Sequence, residues 1–350
     1  MITSTEEQKI LALLPEKLLP WFAENARSLP WRADREPYHV WLSEVMLQQT
    51  RVEAVRGYYA RFLAALPDIP RLAAAEPETL NKLWEGLGYY SRVRSLRAAA
   101  QVVTERFGGV FPREYADVRA LPGVGDYTAG AICSICFEQP TPAVDGNVLR
   151  VVSRLTGDTR CVDEEKTRRA VRLALAEVYP AGRCGDFTQA LMELGATVCV
   201  PNGAPDCAAC PASALCRSAG GGWRALPVRR VKKARRRETL TVFVLRCGER
   251  IALRRRPDSG LLAGLWEFPN VPGCLDAPAA VAQAEAWGVR PQELQRETRR
   301  THVFTHVEWD MRCWFLRCAA PAAGFVWATP EELADAYALP TAFRVFCDEF

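Results

Sequence analysis

At 350 residues the chain is long enough for roughly two domains. With 49% hydrophobic and 25% charged residues it has a globular composition, and its short, charge-broken apolar runs exclude a membrane span. Thirteen cysteines behind an acidic N-terminus (MITSTEEQKILALLPEKL) do not read as a secreted disulfide framework, so a reducing, cytoplasmic compartment is expected. The net charge of +4 is spread unevenly. Residues 1–216 carry 24 Lys+Arg against 26 Asp+Glu, residues 239–350 carry 12 against 14, and residues 217–238 carry nine against one.

Helical spacing comes first along the chain. In the stretch from Tyr38 to Leu66, Tyr58, Phe62, Leu63 and Leu66 recur on one face, and Pro67 closes the pattern. Ala98–Phe107 predicts another helix, ended by Gly108-Gly109, and Asp163–Val178 a third that stops before Pro180. No alternating run precedes residue 217, so residues 1–216 read as one helical domain. Residues 217–238, with a Gly-Gly-Gly run and seven basic residues from Arg229 to Arg237, read as an interdomain linker. A solvated connector and a strap along a phosphate backbone both fit it. Beyond it, Thr239–Arg246 alternates as a strand, Cys247-Gly248-Glu249 offers a turn, and Arg250–Arg255 returns. Val303–Leu316 suggests a further strand pair and Glu331–Tyr337 a closing helix. Residues 239–350 therefore read as a small α/β or α+β domain.

Three constellations carry chemistry. Cys199, Cys207, Cys210 and Cys216 lie in one window with seven, two and five residues between them. Thiols so concentrated in a reducing compartment bind metal. A [4Fe–4S] cluster fits one compact window better than structural zinc, which favours two short knuckles. Leu121-Pro-Gly-Val-Gly-Asp-Tyr127 opens a helix, and the backbone at Gly123, Val124 and Gly125 suits a single phosphate at the positive end of the helix dipole. A plain helix–helix turn would need glycine only once. Asp145, in Pro-Ala-Val-Asp-Gly-Asn, has the position of a helix N-cap.

The hairpin LPGVG, the loop VDGNV and the cysteine window together resemble the helix–hairpin–helix DNA glycosylases of the endonuclease III superfamily. LPWR (29–32), SEVMLQQTRV (43–52), GLGYYSR (86–92) and ELGATVC (193–199) narrow that resemblance to the adenine DNA glycosylase, or MutY, family. It implies a multidomain protein: an all-α glycosylase domain with a [4Fe–4S] cluster loop, and a C-terminal α/β domain related to Nudix hydrolases. The implied activity is removal of adenine mispaired with 8-oxoguanine, and less well with guanine, from double-stranded DNA. A monomer working on nucleoid DNA is expected.

Site residues follow from the same resemblance. Glu44 matches the acid that protonates adenine, Asp145 the carboxylate facing the sugar cation, and Tyr127 a residue supporting Asp145 and the sugar. Arg27, Trp31 and Arg32 line the pocket of the flipped base, with Leu47 and Val52 packing and Glu193 hydrogen-bonding it. Gln49 and Tyr89 match residues inserted into the duplex, with Thr50 and Leu87 near 8-oxoguanine and Tyr90 in the core. Phe304, Thr305 and His306 stand where the family has a Phe-Ser-His lesion-reading loop; Thr305 keeps the hydroxyl and adds a methyl. The Nudix catalytic signature is absent after Gly264, so this domain is expected to read rather than hydrolyse. Two departures stand out: the first cysteine gap is seven residues where the family has six, and Leu149 occupies a position often basic in relatives. A bifunctional lyase would need an amine nucleophile where this chain has Tyr127. A non-catalytic lesion-binding protein would not need both Glu44 and Asp145.

Overall fold

A computed structural model describes residues 5–231 and 234–349, so Lys232 and Lys233 of the basic segment lie outside the described residues. The chain divides into two compact units. The first comprises the residues up to Ala74 together with Ser95–Val231; the second comprises Ala75–Arg94 and the C-terminal residues.

The first unit is helical. It holds α1 (Thr5–Ala12), α2 (Leu14–Asn25), α3 (Pro37–Leu47), α4 (Val52–Ala65) and α5 (Ile69–Ala74). After α6 (Pro77–Leu83), which belongs to the second unit, α7 (Ser91–Phe107) carries the chain back. There follow α8 (Tyr115–Ala120), α9 (Asp126–Phe137), α10 (Gly146–Thr156), α11 (Glu165–Ala176) and α12 (Cys184–Thr197). The pattern read between Tyr38 and Leu66 is two helices, not one. α3 is buried on nearly every face, from Tyr38 to Met46, whereas α4 buries only the stripe Val55, Tyr59 and Phe62. Between them Gln49 takes a left-handed φ of 57°, which no helix interior tolerates.

One core joins the chain's beginning to its middle: Leu11, Leu14 and Leu18 pack with Val148, Val152, Leu155, Phe187, Leu191 and Leu194. Leu149 is 4% exposed within it, so the departure from a basic residue there is absorbed by packing. Gly130 and Gly185 are close-approach glycines: a Cβ would lie 2.5 Å from Pro142 O and 2.9 Å from the Cα of Ile135, respectively.

The basic segment is not loose chain along its first half. The Val162 amide donates to Val228 O at 3.0 Å, Arg154 Nε to Leu226 O at 3.0 Å, and Leu226 is buried. The Leu226 and Val228 carbonyls, the buried Leu226 side chain and the Arg230 amide, which donates to Asp163 Oδ2 at 2.9 Å, anchor it to the first unit. At its other end, Arg236 already opens strand β1.

The second unit is built on a mixed sheet. Its strands are β1 (Arg236–Cys247), β2 (Arg250–Arg255), β3 (Trp266–Glu267), β4 (Asn270–Pro272), β5 (Pro291–Val303), β6 (Val307–Cys318) and β7 (Val326–Ala328). Among the described residues the order is β3-β2-β1-β6-β5, with β4 also on β1 and β7 on β2. β1 and β6 run parallel, and the other pairs are antiparallel. Alternation along β6 sends Val307, Trp309, Met311, Cys313 and Phe315 to one core and Trp314, Leu316 and Cys318 to the other. α13 (Ala277–Ala286), α14 (Pro330–Asp335) and α15 (Thr341–Arg344) complete the unit, α14 with a Thr329/Glu332 capping box.

The strand pair expected within Val303–Leu316 is instead β5 and β6, hinged at Phe304–His306. The sequence pattern hides β5 because QELQRETRRT is polar on both faces, as suits an exposed edge strand. No helix among the described residues is long and apolar enough to cross a membrane.

Candidate active site

A cleft of about 690 Å³ opens in the helical unit. It is lined by the break between α3 and α4, the hairpin before α9, the turn into α10 and one face of α12. Glu44 projects from α3 and is 7% exposed. Tyr127, in the first turn of α9, donates its hydroxyl to Glu44 Oε2 at 2.5 Å. Burial pushes the Glu44 carboxyl up, the Tyr127 hydrogen bond and the Arg32 charge pull it back, and the Asp145 charge pushes it up again, leaving it at about 7. Burial and the two carboxylates hold the Tyr127 phenol well above its ordinary value, so it stays a donor. Tyr127 thus supports Glu44 directly, where the resemblance had it supporting Asp145.

Asp145 is both an N-cap and a wall of the cleft. Its Oδ1 accepts the Val148 amide at 2.7 Å and its Oδ2 the Asn147 side chain at 2.7 Å. Burial pushes its carboxyl above the ordinary value, and these donors oppose the rise. The cap therefore fixes a carboxylate in the cleft, which reconciles the structural and chemical readings of this residue.

Glu193, 0% exposed, differs from expectation. Its carboxylate accepts from Arg27 Nε at 2.7 Å, Arg27 Nη2 at 2.9 Å, the Arg27 amide at 3.0 Å and Arg32 Nη2 at 2.9 Å. Against burial, which raises it, these donors hold Glu193 down at about 2. A carboxylate so committed orients the two arginines. Trp31 is 7% exposed and meets Tyr59 edge-on at 5.5 Å. Leu47, Gln49, Thr50 and Val52 border the cleft, together with Gly123 and Gly125.

The hairpin glycines separate into two roles. Gly123 has φ +74°, and a Cβ there would sit 2.5 Å from Ser95 Cβ, so the turn itself demands glycine. At Gly125 a Cβ would meet nothing within 4 Å. Its missing side chain serves open space over the start of α9, as close approach of a ligand requires. Val124, expected beside them, turns inward: its amide donates to Leu121 O at 3.1 Å and its side chain is 4% exposed.

Gln189, Met192 and Ala196 also line the cleft and were not singled out from the sequence. With Glu193 they follow the 3.6-residue period on α12, which is the signal that finds them. Ser43, Thr128 and Asn147 join them; Thr128 accepts a hydrogen bond from Gln48 Nε2 at 3.4 Å.

Leu87, Tyr89, Phe304, Thr305 and His306 do not line this cleft. They share a separate groove of about 480 Å³ in the second unit. Tyr89 is 43% exposed with φ 47°, whereas Tyr90 is 6% exposed. The Tyr89 and Thr305 hydroxyls are hydrogen-bonded. Phe304 packs edge-on to Trp309 at 4.8 Å and to His302 at 4.6 Å.

The four window cysteines line one pocket in the helical unit, with Arg154 and Trp223 beside them. Arg154 Nη1 donates to Cys199 Sγ at 3.3 Å. Burial pushes the Cys210 thiol up to about 11, with a backbone hydrogen bond at Ala212 opposing the rise and the neighbouring thiols adding to it. Thiolates around one zinc sit about 3.8 Å apart; among the described residues no three His, Cys, Asp or Glu converge on a single ion. Within the first gap Gly203 turns the chain at φ +80°, and the Asp206 amide donates to Val198 O at 3.1 Å.

Residues 42–179 match the HhH-GPD superfamily of base excision DNA repair proteins, and residues 241–349 match the NUDIX domain. A thermostable thymine-DNA glycosylase superposes on 60% of this chain and 95% of its own with a TM-score of 0.53 at 27% identity. Endonuclease III trapped on DNA covers 61% and 96% with a TM-score of 0.52 at 25% identity. Fold and cleft thus define a helix–hairpin–helix base-excision glycosylase carrying a Nudix-like domain. The adenine DNA glycosylase of Mus musculus is 39% identical over 95% of this chain and 77% of its own length. The chain belongs to the adenine DNA glycosylase family, and it is an enzyme that acts on DNA.

Proposed function

We propose that the protein excises adenine paired with 8-oxoguanine, and less efficiently with guanine, as a monofunctional glycosylase acting as a monomer. The observation that carries this reading is a carboxyl near neutral acidity, Glu44, held by Tyr127 in the same cleft as a second carboxylate, Asp145.

Glu44 delivers its proton to N7 of the extruded adenine, so the base leaves neutral as the C1′–N9 bond breaks. Asp145, pinned by Val148 and Asn147, keeps its negative charge against the sugar cation that remains. Water then adds at C1′ and its proton returns to a carboxylate, leaving an abasic site and free adenine. Arg27 and Arg32, oriented by Glu193, and Trp31 form the base pocket. Gly123 permits the turn and Gly125 leaves the start of α9 open to one phosphate, a contact that positions the duplex without reading sequence. The Tyr89 and Phe304–His306 groove reads 8-oxoguanine. Cys199, Cys207, Cys210 and Cys216 would hold a [4Fe–4S] cluster. Such a group cross-links the loop and can carry one electron. The domains proposed are residues 1–216 and residues 239–350, joined by the basic segment 217–238, a connector held to the helical unit as far as residue 231 rather than loose chain.

The test is single-turnover cleavage of A:8-oxoguanine, A:G and A:T duplexes, with borohydride added in parallel. Preference in that order with negligible trapped protein–DNA adduct supports the proposal. Abundant adduct would assign an amine nucleophile and a lyase instead.

A further inference from the structure

Glu85 takes no part in the chemistry above, yet its carboxylate is 7% exposed. The Leu339 amide donates to its Oε1 at 2.8 Å, and Lys82 Nζ and Arg344 Nη2 lie 2.8 and 3.0 Å from its Oε2. Lys82 also donates to Tyr337 O at 3.4 Å. A buried carboxylate is tolerated only with such a set of partners, and it contributes less to stability than to fixing one arrangement.

The arrangement fixed is that of the turn following α6. Gly86, Gly88 and Tyr89 all have positive φ, at 96°, 70° and 47°; Trp84 Nε1 donates to Gly88 O and Arg92 Nη2 to Leu87 O and Gly88 O, each at 3.1 Å, which shape the turn locally, and anchors from the C-terminal residues fix where it sits. Glu85 anchors its start to the segment from Tyr337 to Arg344, and Arg94 Nη1 anchors its far side by donating to Ala263 O at 3.0 Å. Leu87 and Tyr89 from the turn, Thr305 from the β5–β6 hinge, and Pro340 and Thr341 from the anchoring segment then line one groove.

We propose that Glu85 is a positioning residue for lesion discrimination: it clamps the 86–90 turn to the 337–344 segment and so sets the groove in which Tyr89 meets Thr305. This rests on reading that groove as the 8-oxoguanine site.

The test uses the full chain and single-turnover rates on A:8-oxoguanine and A:G duplexes, with thermal melting alongside. Glu85→Ala is expected to lower the A:8-oxoguanine over A:G rate ratio about fivefold or more, the scale of a typical coupling between sites, while the saturated A:G rate holds. Glu85→Gln keeps an acceptor for the Leu339 amide and should retain most of the ratio. Adding Thr305→Ala to Glu85→Ala should give less than the product of the two single losses, because both act on one groove. If Glu85→Ala does not fold, Arg344→Ala, altered from the half-exposed side of the clamp, must lower the ratio. A reduced melting temperature with an unchanged ratio in either variant overturns the proposal. A wild-type enzyme without 8-oxoguanine preference overturns the reading of the groove itself.

Discussion

Replacing Tyr127 by Phe removes the hydroxyl that lies 2.5 Å from Glu44 Oε2 and leaves the ring in place. That hydroxyl favours the ionised carboxylate, holding Glu44 below where burial alone would put it. A hydrogen bond to a charged group contributes about 1.5–3 kcal/mol, or about one to two pH units of titration midpoint. Glu44 acts as an acid, so excision by the wild type should be full below about 7 and fall as pH rises through it. In Tyr127→Phe the fall should move upward by about one to two pH units. The assay is single-turnover adenine release across pH 5 to 10, read from the midpoint rather than the plateau, which is free to drop for other reasons. A midpoint that stays put, or moves down, would refute the Tyr127–Glu44 coupling.

Glu44→Gln should stabilise the fold at alkaline pH. The folded carboxyl titrates at about 7 against 4.5 ordinarily, so ionising it costs the folded state up to about 3 kcal/mol. That cost is absent below about 4.5 and complete above about 7, and melting of variant and wild type should converge at acid pH. At Glu193 the sign is opposite: its lowered midpoint contributes stability above about 4.5 that is lost toward about 2. Glu193→Ala should cost about 3 kcal/mol by denaturant titration, because Arg27 and Arg32 lose their shared partner. Gly125→Ala should change stability by less than about 1 kcal/mol but weaken DNA binding, measured by anisotropy, whereas Gly123→Ala should lower the melting temperature because of its φ and Ser95. The purified protein should be yellow-brown with about four iron and four sulfide per chain, and Cys207→Ser should deplete both.

Periodicity made the division into a helical and a mixed α/β part legible, and the family resemblance singled out Glu44, Tyr127 and Asp145, each of which sits in a short motif whose residues are local in sequence. Long-range geometry was not legible. Nothing in ELGATVC says that Glu193 spends its oxygens on Arg27 and Arg32, which lie more than 160 residues earlier. Nor does GLGYYSR announce that residues 75–94 pack with the C-terminal unit; Glu85 and Leu339 meet across a sequence separation of 254. Charge patterning was silent on how the basic segment is held: the Leu226 and Val228 carbonyls and the Arg230 amide tie it to the helical unit as far as residue 231. β5 was missed because it is an edge strand with too little apolar alternation to be seen.

The measurement closest to the central claim is single-turnover release of adenine from an A:8-oxoguanine duplex by wild type, Glu44→Gln and Asp145→Asn, with duplex affinity measured on the same preparations. An amide keeps the shape of each side chain but can neither donate the acid proton nor carry the charge. Both variants should bind the duplex as wild type does and lose at least about 10²-fold in rate, the range expected for a missing general acid. A variant that binds and still releases adenine within about threefold of wild type would contradict the role assigned to that carboxylate.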